Sequence, residues 1–419
     1  MYALCDANSM YASCEKIFDP SIRNKPVVVL TNNDGCICAA CHIAKRLGVG
    51  KKFIPYFQVR EDLERAGAVI RSSNYELYAD ISQRMMDTCS RFAPRCHVYS
   101  IDEIFHFYEG WVPPEGWFEH GRAIRRAVWT EVRLPIGVGI GPTPTLAKAA
   151  NHAAKRIEGY RGVAVIDNET ARRHILQNMA LTDVWGIGSR LAKRLQALNI
   201  DSPWQLANAN PGWIRKHFSV LVESTVYELQ GVVKLSWDDV RASKKEIYST
   251  RSFGQRIRTP DVLGQALVQH ASIAAAKLRR QQSLAGVAVI FATSSPHDAQ
   301  GYYRKYITHR FAVPTQDTTV IANACRQAVQ AIYRPGVPFY RCGVGLIDLS
   351  EKAAFQQDLF TPSADNPGLM QCLDAINARY GRNTAYLAGQ GIQQKFAMRR
   401  EFLSPQYTTR LSDIPRIQC

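Results

Sequence analysis

The chain has 419 residues, a formal net charge of +16 and 46% hydrophobic residues. This length allows about three domains of typical size, and the composition excludes a broadly disordered chain. The excess of positive charge favours a polyanionic partner. Nucleic acid is favoured over an acidic membrane surface because no basic amphipathic helix stands out.

The sequence indicates neither export nor membrane insertion. No segment approaches the ~18 apolar residues of a membrane span, and the N-terminus lacks the features of a signal peptide, so we expect a cytoplasmic protein. The eleven cysteines are scattered, and we expect mostly free thiols. Cys38, Cys41 and His42 have the spacing of a c-type haem attachment sequence, with Cys36 as a further possible ligand, but such attachment requires export. The spacing is also poor for zinc, so we interpret these residues as structural.

The first strand is predicted over residues 1–6 and ends in the carboxylate Asp6. Asn8 and Ser9 are predicted to cap the helix that follows. A strand is predicted next over 26–30, then a turn at Asn33-Asp34-Gly35, then a helix over 39–47. Residues 11–74 are therefore expected to form a small mixed subdomain inserted after the first strand.

Two adjacent carboxylates, Asp102 and Glu103, interrupt an apolar and aromatic run. Such a run predicts a buried strand, where an ionised carboxylate is costly unless something pairs with it. Together with Asp6, these residues make three carboxylates at strand ends, which could hold two divalent cations. That arrangement carries phosphoryl transfer in polymerases and nucleases. The alternative is a solvated Asp-Glu turn between two strands.

The elements around this pair alternate between helix and strand. The predicted helices are 75–92, 121–133 and 145–157, and the predicted strands are 136–141 and 163–166. The strand over 136–141 contains three glycines, so backbone or ligand can approach it closely. This mixture predicts an α+β layer around one sheet.

Residues 168–235 are predicted to be helical. Gly186 and Gly188 open a helix in the apolar-Gly-apolar-Gly pattern that is typical of a helix–hairpin–helix. The glycines and the helix N-terminus could approach a phosphate. Nearby basic residues favour contact with a DNA backbone over an ordinary helical packing unit.

The last third of the chain is predicted to form a basic domain. Residues 236–241 are interpreted as a linker, and 242–350 follow the order β-α-β-β-α-β, as in ferredoxin-like domains. This segment holds 14 Lys and Arg against five Asp and Glu, which predicts a sequence-independent grip on DNA phosphates. Residues 351–419 form a tail of mixed composition.

Taken together, these motifs resemble the Y-family of translesion DNA polymerases, closest to its UmuC-like branch, over essentially the whole chain. The general family features are Asp6, Ser100–Glu103, Gly137–Ile140, Ala147-Lys148 and the Gly186/Gly188 hairpin. The more specific stretches are Asn32–Cys36, Ser73–Asp80, Arg251–Gly254, Pro314–Asp317, Ala388–Ile392, Leu403–Pro405 and Tyr407–Arg410.

The resemblance implies the right-hand polymerase fold, which belongs to the α+β class. The palm would comprise residues 1–10 and 75–167, the fingers 11–74 and the helix–hairpin–helix thumb 168–235. After the linker 236–241, residues 242–350 would form the little finger, which binds DNA, and 351–419 the tail.

The resemblance also assigns roles to single residues. Asp6, Asp102 and Glu103 would be catalytic and would bind two Mg²⁺ ions, for which Mn²⁺ is a possible substitute, and the backbone carbonyl of Ala7 would add a ligand. Tyr11 would be the steric gate that excludes a 2′-hydroxyl; the alternative is an aromatic residue of the core.

Further residues are expected at the triphosphate. Lys155 matches a basic residue that contacts it. His42 and Lys45 stand where many members have Tyr and Arg, and Pro144 stands where Lys is common. Because Lys lacks the bidentate fork of Arg, these departures bear on nucleotide affinity rather than on the reaction.

The implied function is error-prone translesion synthesis without proofreading in an SOS-type damage response. The implied partners are primer-template DNA, dNTP, a UmuD′-type dimer and a RecA filament. A sliding clamp would bind Gln356, Leu359 and Phe360. Two alternatives remain: another two-metal palm enzyme such as a nucleotide cyclase, and a non-catalytic DNA-binding regulatory subunit.

Overall fold

The computed structural model describes residues 1–235, 237, 243–299, 301–356, 363–381, 383–392 and 398–414. The chain forms two compact units, one of residues 1–238 with 401–419 and one of residues 239–400. Within the described ranges, the helices are all too short or too polar to cross a lipid bilayer.

The first unit alternates strands and helices and then becomes helical. Its elements are β1 (Tyr2–Ala7), α1 (Met10–Phe18), β2 (Val27–Leu30), β3 (Ile37–Ala40), α2 (His42–Arg46), α3 (Tyr56–Arg65), β4 (Val69–Ser72), α4 (Tyr75–Ser90), β5 (Arg95–Val98), β6 (Glu103–Phe107), α5 (Trp117–Val132), β7 (Ile136–Gly141), α6 (Pro144–Arg156), β8 (Val163–Val165), α7 (Glu169–Gln177), α8 (Ser189–Gln196), α9 (Pro203–Ala207), α10 (Pro211–His217) and α11 (Val220–Leu229).

A five-stranded sheet in the order β5-β6-β1-β7-β8 forms the centre of this unit. Strand β1 pairs antiparallel with both β6 and β7, which places Asp6 opposite Glu103 on one side and opposite Gly137 on the other. The glycines of β7 allow α6 to lie directly against the sheet. A Cβ atom at Gly139 would come within 2.0 Å of the backbone nitrogen of Asn151. The close approach expected at this strand is therefore made by a helix.

A second sheet, in the order β3-β2-β4, lies in the inserted segment. The predicted turn is present, since Asn33 and Asp34 both have positive φ between β2 and β3. The predicted helix over 39–47 is wrong at its start, because Ala39 and Ala40 pair with β2 and the helix begins only at His42. Burial and ladder hydrogen bonds here override the helix propensity of alanine.

The predicted cap of α1 is also wrong. Ser9 has φ 49° and its side chain makes no capping hydrogen bond. Ser13 instead donates its hydroxyl to the Asn8 carbonyl at 2.6 Å. The left-handed conformation at Ser9 turns the chain sharply from β1 into α1, so Ser9 cannot adopt the extended backbone that a cap requires.

The helical segment is attached to α6 through a buried carboxylate. Glu228 is fully buried and accepts hydrogen bonds from the backbone N–H groups of Thr145 at 3.2 Å and Lys234 at 2.6 Å. The Thr143 hydroxyl donates to the Glu228 carbonyl at 2.8 Å. These bonds satisfy the buried carboxyl group and fix α11 against the start of α6.

The second unit has the predicted β-α-β-β-α-β order. Its elements are β9 (Ile247–Ile257), α12 (Pro260–Arg280), β10 (Ser283–Thr293), β11 (Arg304–Thr315), α13 (Thr318–Ile332), β12 (Phe339–Glu351) and α14 (Pro367–Tyr380). The sheet order is β11-β10-β12-β9 with antiparallel neighbours, so each β-α-β unit is split by one intervening strand. The final helix α14 and the chain from residue 401 onward lie in different units, a division that no sequence pattern predicted.

The buried His270 on α12 makes the stability of the second unit dependent on pH. Burial, with smaller contributions from Arg251 and Lys277, lowers the pKa of His270 to about 4, while Ser249 shares a hydrogen bond with its ring at 2.9 Å. The unfolded chain, with a His pKa near 6.5, binds this proton more readily, so stability is present above pH 6.5 and is lost toward pH 4. We expect the free energy of unfolding to fall by roughly 2 kcal/mol between pH 7 and pH 5 because of this group.

Urea unfolding at the two pH values, followed by circular dichroism, measures this loss. His270→Gln keeps a hydrogen-bonding group for Ser249 and should reduce the difference, whereas His297→Gln, at an exposed position, should not. The same pH dependence in His270→Gln as in the parent would contradict the assignment.

Candidate active site

Backbone pairing brings the three carboxylates to one end of the central sheet. Asp6 lies opposite Glu103 in the β1–β6 register, and the Ala7 N–H donates to the Asp102 carbonyl at 2.9 Å. Asp102 lies in the tight turn between β5 and β6, where the Tyr99 N–H donates to the Glu103 carbonyl at 3.0 Å. Asp102 therefore lies in a turn between two strands, whereas Glu103 begins β6.

Each carboxylate has a partner within hydrogen-bonding distance. Asp6 Oδ1 lies 2.7 Å from Lys155 Nζ, and Glu103 Oε1 lies 2.8 Å from Lys148 Nζ. The Ser100 hydroxyl donates to Asp102 Oδ1 at 2.6 Å. Lys148 and Lys155 are seven residues apart on α6, which places both ammonium groups on the helix face that meets the carboxylates.

Burial raises the pKa of Asp6 above its usual value, and Lys155 opposes this shift, while Glu103 and Asp102 add to it. Three neighbouring carboxylates repel one another unless positive charge lies nearby. Here Lys148 and Lys155 provide that positive charge. Among the described residues, no three His, Cys, Asp or Glu side chains are already gathered around a common point as metal ligands. The hard oxygen donors of Asp6, Asp102 and Glu103 nevertheless fit Mg²⁺, once the lysines release the two carboxylates they hold.

Two of the carboxylates, Asp6 and Glu103, line a cleft of about 690 Å³. Its walls include Asp6, Glu103, the two lysines and the turn from Thr182 to Gly188. Gly186 has φ 89°, in the left-handed region, and Gly188 directly precedes α8. The glycine hairpin thus borders the same cleft as Asp6 and Glu103.

Tyr11 on α1 is half-buried in an aromatic cluster. Its ring stacks on Tyr78, with centroids 4.4 Å apart, and meets the edge of Tyr75 at 6.1 Å. Burial, reinforced by Tyr75, raises the pKa of Tyr11 to about 12, so the phenol is neutral at physiological pH. The ring packs against the core while one part of it remains accessible.

Basic residues surround the start of α2. Burial and the nearby Lys52 and Arg156 lower the pKa of Lys45, whose ammonium group donates to the Ser9 hydroxyl at 2.8 Å. Lys155, the ion-pair partner of Asp6, makes a smaller contribution in the same direction. Slight burial, followed by the nearby Lys16, Arg46 and Lys45, lowers the pKa of His42. Most of its side chain is exposed.

Sequence reasoning did not assign Lys148 or Asn151 to the site. Lys148 Nζ lies over the rings of Tyr99 at 4.6 Å and Trp185 at 5.0 Å, in addition to its contact with Glu103. Asn151 donates to the carbonyls of Leu4 at 3.1 Å and Gly137 at 2.9 Å, tying α6 to β1 and β7. Asn151 and Lys155 follow Lys148 by three and seven residues, a spacing that places all three on one face of α6. This spacing was the sequence signal that could have identified them.

Two other predictions concern residues away from the cleft. Cys38 donates its thiol to the Val29 carbonyl at 3.3 Å, and Cys41 is buried, which is compatible with structural roles. In the clamp motif, Gln356 is exposed, whereas Leu359 and Phe360 lie outside the described residues.

Comparison with known proteins covers nearly the whole chain. Residues 5–152 match the impB/mucB/samB family, 169–200 the helix–hairpin–helix motif of that family, 244–359 its C-terminal domain, and 367–417 a domain of unknown function (DUF4113). The chain is 42% identical to Protein UmuC of Salmonella typhimurium over 100% of both chains, and 41% identical to Protein MucB of Escherichia coli over 99% of both.

The fold has relatives among solved structures. A Y-family DNA polymerase chimera of Dbh and Dpo4 aligns with a TM-score of 0.64 at 22% identity, over 84% of this chain and 99% of the other. An insertion ternary complex of Dbh DNA polymerase aligns with a TM-score of 0.53 at 21% identity, over the same shares of both chains. The chain belongs to the impB/mucB/samB family, and it shares the fold of Y-family DNA polymerases. The resemblance, the α+β right-hand fold and the enzyme class inferred from the sequence are thereby confirmed: this is a translesion DNA polymerase.

Proposed function

We propose that this polymerase adds nucleotides at the end of the central sheet where Asp6, Asp102 and Glu103 meet. The observation that carries this assignment is that the β1–β6 register and the β5–β6 turn place the backbones of these three residues at one end of the sheet. The substrates are a primer-template DNA and a dNTP. The primer 3′-hydroxyl attacks the α-phosphate, and pyrophosphate leaves.

The three carboxylates, with the Ala7 carbonyl, would hold two Mg²⁺ ions, or Mn²⁺ as a substitute. When bound, such ions lower the pKa of an attacking hydroxyl and neutralise charge on the triphosphate. In this proposal Lys155 and Lys148 release Asp6 and Glu103, and Lys155 turns to the triphosphate. Lys45 and His42 face the same anion from α2.

Tyr11 is proposed to select the sugar. It follows Asp6 by five residues, and its ring stacks on the ring of Tyr78. A rigid ring beside the nucleotide site can reject a 2′-hydroxyl by steric exclusion. The phenol contributes shape rather than charge, because it is neutral at physiological pH.

Contacts with DNA are proposed at two places. In the first unit, Gly186 and Gly188 present backbone N–H groups and the N-terminus of α8 to a phosphate. In the second, the excess of Lys and Arg over residues 242–350 supplies sequence-independent affinity. The domain boundaries that we propose are palm 1–10 and 75–167, fingers 11–74, thumb 168–235, linker 236–241 and little finger 242–350.

The wider assembly is also a proposal. We infer that this polymerase acts in the cytoplasm with a UmuD′-type dimer and a RecA filament, as the resemblance implies. A primer-extension assay with Mg²⁺ and dNTPs tests the central reaction. Extension excludes both a nucleotide cyclase and a non-catalytic DNA-binding regulatory subunit, whereas its absence in the presence of these partners would favour the latter.

A sliding clamp is the proposed partner of Gln356, Leu359 and Phe360. Burying Leu and Phe contributes about 1.5–3 kcal/mol each before ordering costs, so the contact should be weak. A weak tether still raises the effective concentration of the polymerase at a primer end. We expect the double change Leu359→Ala and Phe360→Ala to leave single-nucleotide insertion unchanged while reducing clamp-stimulated extension.

Extension length on a circular primed template, with and without clamp, measures this effect. The control replaces Leu411 and Ile414, two exposed apolar residues of the same tail, with Ala. If the Leu359 and Phe360 variant were stimulated as strongly as this control, the clamp would bind elsewhere.

A further inference from the structure

Residues 401–407, which we call the C-terminal strap, pack on the first unit beside β4. The Ser72 N–H donates to the Phe402 carbonyl at 3.0 Å, and the Phe402 N–H donates to the Ser72 hydroxyl at 3.0 Å. The buried Asp34 accepts from the Ser72 hydroxyl at 2.6 Å and from the Glu401 N–H at 2.8 Å. The strap is therefore held beside β4 at the edge of the β3-β2-β4 sheet, although it lies more than 300 positions away in the sequence.

The buried side chain of Asn74 connects the strap to α4. Asn74 caps this helix by accepting from the Leu77 N–H at 3.3 Å. Its amide nitrogen donates to the Ser404 carbonyl at 3.0 Å, to the Ser404 hydroxyl at 2.9 Å and to the Pro405 carbonyl at 3.2 Å. Tyr407 stacks on Phe18 with centroids 5.0 Å apart. The strap thus reaches both α4 and α1.

A buried carboxylate connects the strap to the aromatic pair of the sugar gate. Glu15 is 1% exposed, and its Oε1 accepts from the Ser404 hydroxyl at 3.1 Å and from the Tyr78 hydroxyl at 2.6 Å. Arg71 approaches the other oxygen at 3.5 Å. Tyr78, which is fully buried, stacks on Tyr11. A continuous set of contacts therefore runs from Ser404 through Glu15 and Tyr78 to Tyr11.

We propose that Ser404 is a positioning residue for sugar selection: the strap holds Glu15, Glu15 holds the Tyr78 ring, and that ring braces Tyr11. This inference rests on the proposed role of Tyr11 as the steric gate. Without the Ser404 donor, a buried carboxylate loses one of its few hydrogen bonds, and the Glu15–Tyr78 contact must readjust. The inference also gives a function to part of the stretch that matches a domain of unknown function, residues 367–417.

The test compares Ser404→Ala with Ser412→Ala in the full chain. Ser412 is an exposed serine of the same terminal segment that contacts Asp413 instead of Glu15. The readout is the ratio of kcat/KM values for ribonucleotide and deoxyribonucleotide insertion. We expect Ser404→Ala to raise this ratio about three- to tenfold, since only part of one charge-assisted hydrogen bond is transmitted to the gate. Ser412→Ala should match the parent.

A double variant separates positioning from general loosening. If Ser404 acts through the gate, then in a Tyr11→Ala background Ser404→Ala should raise the ratio no further. Equal factors in both backgrounds, or an unchanged ratio for Ser404→Ala alone, would overturn the inference while leaving Tyr11 as the gate. An unchanged ratio for Tyr11→Ala would remove the proposed gate and the strap's role with it.

A second variant approaches the same chain of contacts from the other end. Tyr78→Phe keeps the stacked ring but removes the hydroxyl that donates to Glu15, and it should raise the ratio in the same range as Ser404→Ala. If Ser404→Ala fails to fold, as judged by circular dichroism, this variant decides: an unchanged ratio contradicts the proposal.

Discussion

Asp102→Asn is expected to abolish nucleotide addition while leaving DNA binding nearly intact. Asn keeps an oxygen that can accept from the Ser100 hydroxyl, which now donates to Asp102 at 2.6 Å, so the β5–β6 turn should persist. What is lost is one negative charge at a site proposed to hold two divalent cations. Because such ions supply several kcal/mol of transition-state stabilisation, we expect primer extension to fall by about a thousandfold or more.

Primer extension with Mg²⁺ and fluorescence anisotropy on the same primer-template separate catalysis from DNA binding. Asp87→Asn is the matched control, since Asp87 is exposed on α4, where it accepts a hydrogen bond from Gln83. An Asp102→Asn polymerase that extends a primer at the parental rate would remove Asp102 from the catalytic site. Parallel loss of DNA binding would instead indicate a folding defect.

Tyr11→Ala is expected to raise ribonucleotide insertion relative to deoxyribonucleotide insertion by about 10–100-fold, the range that a steric pocket commonly supplies. The substitution removes the ring that stacks on Tyr78 and leaves space where a 2′-hydroxyl would otherwise clash. Deoxyribonucleotide insertion should change much less, because the role proposed for the lost ring is to reject the wrong sugar, not to assist the reaction.

Single-nucleotide insertion with matched dNTP and rNTP measures the discrimination directly. Tyr11→Phe is the control, since it keeps the ring and removes only a hydroxyl that is neutral at physiological pH. We expect Tyr11→Phe to retain the parental ratio. If Tyr11→Ala also retained it, Tyr11 would be a core aromatic residue, the other interpretation open from the sequence.

Much of the fold follows from local patterns. The helices α4 and α6, and the strands β7 and β8, lie within a few residues of their predicted positions, because periodicity and turn residues act over short distances. Local rules failed where long-range pairing prevailed. Ala39 and Ala40 are good helix formers, but they complete a ladder with β2, and Ser9 turns the chain rather than capping a helix.

The sequence by itself singled out the groups that we propose for the chemistry: the Asp102-Glu103 pair, Asp6 at the end of a short strand, and the two-glycine hairpin. Only the tertiary structure decided how they are arranged. The pairing of Lys155 with Asp6 and of Lys148 with Glu103 requires α6 to lie on a glycine face of the sheet. The link from Ser404 to Glu15 joins residues 389 positions apart. Contacts of this kind depend on chain segments meeting in space, and their energies come from burial and exclusion of water, which no local pattern of residues encodes.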